Sequence, residues 1–125
     1  MSWTAADTNT HQDHVIAHVI GATPLGHFIW DETAYLLLDI GFVWNIYLDM
    51  EMGLVPQSLA VAELNELRAL VDDANDTSLG PIESVELLEN EDERRLVLNC
   101  ESGKLVIETS LKYRWTRIES APIDV

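Results

Sequence analysis

From Ile82 to Ile118 apolar and polar positions alternate with period two, the signature of strands with one covered face and one wet face. Val85, Leu87, Leu96, Leu98, Cys100, Leu105, Ile107, Tyr113 and Trp115 are expected on the covered face. Glu86, Arg95, Asn99, Glu108, Arg114 and Thr116 are expected on the other, with Val97 and Val106 among them. Asn90-Glu91-Asp92-Glu93 and Glu101-Ser102-Gly103 are turn sequences, so the segment reads as an antiparallel meander. Upstream the period changes. Ala60, Leu64, Leu67, Val71 and Ala74 step by three and four, which makes one apolar stripe of a helix over about residues 58–74, capped by Ser58.

The first half is more apolar and less regular. Asp13–Gly21 is rich in β-branched residues and ends at glycine, which predicts a strand with His14, Ile16, His18 and Ile20 on one face. Ala22-Thr23-Pro24 turns the chain, and Gly26–Trp30 forms a second strand paired with the first. Asp31-Glu32-Thr33 resembles a helix start, with acids in the first turn and Gly41 as the stop, so a short helix is expected over about 31–40. A strand is the alternative, because a short apolar run has no decisive period. Phe42–Leu48 has strand composition, with Phe42, Trp44 and Ile46 on one face and Val43, Asn45 and Tyr47 on the other. Asp49-Met50-Glu51 turns it into a strand over Met52–Val55.

Together these elements predict an α+β fold. It has one mainly antiparallel β-sheet of N-terminal hairpins and a C-terminal meander, with the helix of residues 58–74 on one face. Residues 13–118 would form the domain, 1–12 a flexible arm and 119–125 a tail. The length of 125 residues fits one domain with a core that needs no disulfide or structural metal.

Charge sharpens this picture. The net charge is −15, and all seven basic residues lie after position 67. Residues 1–67 hold nine acids and no Lys or Arg. Such a surface repels phosphate backbones, which argues against nucleic acid, and attracts a basic protein. The same charge also serves simple solubility. Cys100 is the single cysteine, so no internal disulfide can form, in keeping with a reducing, cytoplasmic location. Residues 1–12 lack the basic and apolar segments of a secretory signal. The most apolar run, Ala34–Leu48, is fifteen residues long and interrupted by Asp39, Gly41 and Asn45, too short for a membrane span.

Candidate chemistry is sparse. All four histidines, His11, His14, His18 and His27, precede residue 28. On a strand His14 and His18 would sit about 13 Å apart, too far for one metal ion; on a helix they would lie one turn apart with His11 beside them, but the composition here says strand. His14, His18 and His27 are therefore weak metal candidates, and no metal or other cofactor is expected. Asp39 stands inside the apolar run LLLDIGF, where burial would force a partner or a raised pKa. Cys100 alternates with Leu96 and Leu98 and reads as a core thiol. No nucleotide-binding glycine motif or nucleophile elbow occurs.

The reading that follows is a non-catalytic, acidic protein-interaction module, inhibitor-like or immunity-like, for a basic partner. Asp31, Glu32, Asp49 and Glu51 would steer that partner, and Trp30 or Trp44 would anchor it. The competing reading is a small-ligand protein or enzyme with an aromatic pocket around Trp30, Asp39 and Trp44. A homodimer is a further candidate arrangement, because apolar strand faces are often covered by a second copy.

Overall fold

The computed structural model describes residues 3–6, 10–56 and 79–122. The helix expected over 58–74 lies outside them. The described chain is mostly antiparallel β-structure with a helix, the α+β class expected.

Two sheets, in place of the single sheet expected, enclose the core. One contains β1 (Thr4–Ala5), β6 (Ile82–Glu89), β7 (Glu93–Cys100), β8 (Gly103–Ser110) and β9 (Trp115–Pro122), in the spatial order β1-β6-β7-β8-β9. The other contains β2 (Pro24–Trp30), β3 (Thr33–Leu38), β4 (Phe42–Ile46) and β5 (Met52–Pro56), in sequence order. The second half is thus the expected meander. Trp3 and the two residues of β1 bring the expected N-terminal arm onto its edge. Ala6 N–H donates to Leu87 O at 2.9 Å, and Trp3 stacks on Arg95 with the guanidinium 4.2 Å from the ring centroid.

Cross-strand register shows what each face carries. Ala34, Leu36 and Leu38 of β3 and Trp44 and Ile46 of β4 are fully buried between the sheets. They meet Leu96, Leu98, Leu105 and Ile107 of the other sheet in one cluster. The expected split of β4 holds: Trp44 and Ile46 face this cluster, while Val43 and Asn45 face the other way. At about 25 cal/mol per Å² of apolar surface, each leucine or isoleucine of this cluster contributes roughly 1.5–3 kcal/mol by leaving water.

Residues 13–21 are not a strand. α1 (Thr10–Val19) is a helix. Val15 and Val19 step by four and are buried, Ile16 packs beside them, and Gln12 Nε2 donates to Met50 O at 2.9 Å. Helical spacing collects these four positions on one side, whereas a strand would divide Val15 and Val19 from Ile16. The tertiary gain outweighs the β-branched composition, which costs only tenths of a kcal/mol per residue, about 0.7 at most. Asp13 in the first turn also suits the helix dipole. Gly21, at φ +90°, ends the element, with Ala22 N–H returning to Val19 O at 3.0 Å. Two backbone bonds then tie this turn to β6: Gly21 N–H to Ile82 O and Ile82 N–H to Ala22 O, each 2.8 Å. The helix itself packs beside β5.

Residues 31–40 are not a helix either. Thr33–Leu38 is β3, and Asp31 and Glu32 form the two-residue turn between β2 and β3. Their φ values, +49° and +66°, are the left-handed pair that a tight hairpin needs to match strand twist. The acids read as a helix start therefore belong to a hairpin tip. Facing sheets that bury Ala34, Leu36 and Leu38 together decide the ambiguity of the run.

One face assignment in the meander also changes. Tyr113 sits in the β8–β9 turn and is 71% exposed, and Trp115 pairs with Ser110 on the face opposite Ile107. Arg114, at φ +56°, reverses the chain there, so alternation counted through the turn comes out one residue wrong. Ile118 and Thr116 take the inward positions. Glu108, expected on the wet face, is only 6% exposed. Its oxygens accept from Arg95 at 3.0 Å and Arg117 at 2.9 Å. Arg95 in turn lies against Trp3, and Arg117 lies 4.9 Å from the ring centre of Trp115.

Among the described residues, no helix is long and apolar enough to cross a membrane.

Candidate functional site

Three turns meet at one end of the molecule and line an open cleft of about 410 Å³. The β2–β3 tip supplies Asp31 and Glu32, the β4–β5 loop supplies Tyr47, Leu48 and Asp49, and the β8–β9 turn supplies Leu111 and Arg114. Local chemistry shapes each turn. The left-handed pair at 31–32 projects two carboxylates from a hairpin that has no room for a longer loop. In the β4–β5 loop, Asp49 Oδ1 accepts the Glu51 N–H at 3.1 Å, an Asx turn. Met50, at φ +64° and buried, pins the loop to the core while Met50 N–H donates to Tyr47 O at 2.8 Å.

The cleft is acidic on balance: three carboxylates face one guanidinium. Arg114 Nη2 donates to Glu32 Oε2 at 2.7 Å. Thr116 Oγ1 donates to the Glu32 backbone carbonyl at 3.0 Å, which fastens the tip of one sheet to the other. Both side chains of the ion pair are substantially exposed, so the pair is worth only about 0–1 kcal/mol and can be exchanged for another cation at little cost. Tyr47, 46% exposed, gives the cleft an aromatic wall.

The structure brings together part of the set that sequence pointed to. Asp31, Glu32 and Asp49 line the cleft. Glu51 is exposed in the loop behind Asp49. Trp30, 44% exposed, directly precedes Asp31 and flanks the tip on the outer face of its sheet. Trp44 is fully buried and cannot reach a partner. Asp39 lies at the far end of the β2–β3 hairpin, exposed, where its Oδ1 accepts the Thr23 N–H at 2.8 Å. Asp39 is thus a turn cap at the opposite end of the hairpin from Trp30, while Trp44 is enclosed in the core. Arg114, Tyr47 and Leu111 join the cleft without having been proposed as site residues. Only the register of the β8–β9 turn carries Arg114 there, and nothing in its sequence neighbourhood signals it.

The histidines separate. His14 and His18 are exposed on α1, while His27 is buried on the core side of β2, opposite Leu36. Burial pushes the His27 pKa below its ordinary value. Among the described residues, no three His, Cys, Asp or Glu side chains gather as a metal cluster. Cys100 is buried, and burial, then the nearby Glu83 charge, raises its pKa, so the thiol stays protonated and unreactive at neutral pH.

The chain matches no protein-family model, no curated protein and no solved structure. The function has to be argued from the site.

Proposed function

We propose that this protein is a non-catalytic, acidic interaction module that binds a basic protein partner through the cleft at its hairpin tips, in the manner of an inhibitor or immunity protein. Its setting is a reducing, cytoplasmic one. The observation that supports the reading is the convergence of Asp31, Glu32 and Asp49 from two separate hairpins on one cleft walled by Tyr47. The surrounding charge of −15 would speed encounter with a cation-rich surface and turn nucleic acid away. Trp30, beside the tip, supplies apolar area for the contact. A lysine or arginine of the partner would compete with Arg114 for Glu32, an exchange of one exposed ion pair for another.

The test compares the tagged wild-type protein with a variant carrying Asp31→Lys, Glu32→Lys and Asp49→Lys, each incubated with lysate of the source cells and washed at low and then high salt. The expected result is a basic protein retained by wild type at low salt, released at high salt and not retained by the variant. Equal retention by both forms would refute the cleft as the contact surface.

A further inference from the structure

We propose that His14 and His18 form a two-imidazole site for a borderline divalent metal ion, Zn²⁺, Ni²⁺ or Cu²⁺, on the solvent side of α1. The site is independent of the acidic cleft. It exists because residues 10–19 are helical, which sequence composition alone argues against.

The orientation of α1 is set by its contacts. Gln12, Val15, Ile16 and Val19 face the body of the protein. At 3.6 residues per turn, His14 then points away from the body and His18 lies at the edge of the exposed side, with their directions about 40° apart. Both are exposed. Residues four apart on a helix have Cβ atoms about 5–6 Å apart, in place of the roughly 13 Å that a strand would impose. Two imidazole nitrogens bound at about 2.0–2.1 Å to one tetrahedral ion sit about 3.3 Å from each other, within reach of two side chains on one turn.

One of the two ligands is partly held in place. The His18 ring meets Phe42 edge to face, with centroids 5.5 Å apart and planes at 89°. This contact limits the rotation of His18. Imidazole favours zinc, nickel and copper over magnesium or calcium, which take oxygen ligands. Two protein ligands leave the remaining coordination positions to water, so the site is open and its affinity modest. The net charge of −15 raises the local concentration of cations around it.

The experiment is titration of the full-length protein with Zn²⁺ by calorimetry at pH 7.5, alongside His14→Ala and His18→Ala. Circular dichroism checks that the variants fold, which surface substitutions on this face should allow. The expected outcome is one Zn²⁺ per chain with an affinity that falls at least tenfold in either variant. Carboxylates of so acidic a chain can also take zinc. A second measurement therefore uses Cu²⁺ and electron paramagnetic resonance, where nitrogen hyperfine coupling should appear in wild type and vanish in the double variant. Unchanged zinc affinity in both variants, or a copper spectrum with oxygen ligands alone, would overturn the assignment.

Discussion

Glu108 should act as an electrostatic hub whose two arginine partners contribute unequally. Its carboxylate is nearly inaccessible, with Oε1 held by Arg95 at 3.0 Å and Oε2 by Arg117 at 2.9 Å. Glu108→Gln keeps the shape and removes the charge. The amide offers one acceptor oxygen and turns an NH2 donor toward the other guanidinium, so one bond is lost and the other loses its charge, together about 1.5–3 kcal/mol before solvent screening. The loss at Arg117 must be discounted, because that side chain is 52% exposed while Arg95 is 29% exposed. The variant should therefore lose about 1–2 kcal/mol, most of it through Arg95. For a domain of this size that is a fall in Tm of roughly 3–8 °C. Glu108 also raises the Arg117 pKa, first through the hydrogen bond and then through its charge, but a guanidinium is charged across the accessible range and no pH window results. Urea denaturation of Glu108→Gln, Arg95→Met, Arg117→Met and the two double variants gives the coupling energies. Expected are about 1 kcal/mol for Glu108 with Arg95 and about 0.5 or less for Glu108 with Arg117, only the latter fading in 0.5 M salt. Equal couplings, or a Glu108→Gln protein as stable as wild type, would refute the argument from burial.

Two further outcomes concern stability. Burial lowers the pKa of His27 in the folded protein, so the unfolded chain takes up a proton first as pH falls. The stability associated with neutral His27 is complete above the unfolded pKa of about 6.5 and is lost as pH drops from there to the folded pKa. Urea midpoints should fall between pH 7.5 and 5.5, and His27→Gln should flatten that fall; an unchanged slope in the variant would place the titration elsewhere. At the β2–β3 tip, Asp31→Asn with Glu32→Gly supplies the residues preferred for two left-handed positions. Glu32→Gly should relieve about 1–2 kcal/mol of left-handed strain, more than the 0–1 kcal/mol lost with the Arg114 pair, so thermal melts should show a higher Tm. The same variant should bind a basic partner less well, which separates fold stability from recognition.

Much of the architecture was legible where the pattern was long. Four strands of the meander and two of its turns follow from period-two alternation, because each strand there buries one face and wets the other. β4 was legible from its β-branched and aromatic composition, and β5 from the turn Asp49-Met50-Glu51 that precedes it. The errors fall on short apolar runs. Thr33–Leu38 can satisfy a helix or a strand, and the acids before it suit either a helix start or a hairpin tip. Asp13–Gly21 has strand composition but sits where a helix stripe of Val15 and Val19 closes the core. The site was half legible: acids in turns point outward in any fold, so Asp31, Glu32 and Asp49 could be proposed. Their meeting in one cleft, with Arg114 from a turn some 80 residues later, could not.

By itself the sequence determined the charge imbalance, the α+β class, the turns rich in acids and the single buried thiol, since these depend on residue identity and local period. The tertiary structure alone decided that 13–19 coils and 33–38 extends, which brings His14 to His18 and sends Asp39 away from Trp30. It also decided that Glu108 is buried between two arginines and that Trp44 belongs to the core. The physical reason is the same in each case. Local preferences differ by tenths of a kcal/mol, while burying a few large side chains between two sheets contributes several, so the packing partner sets the outcome wherever the local signal is nearly balanced.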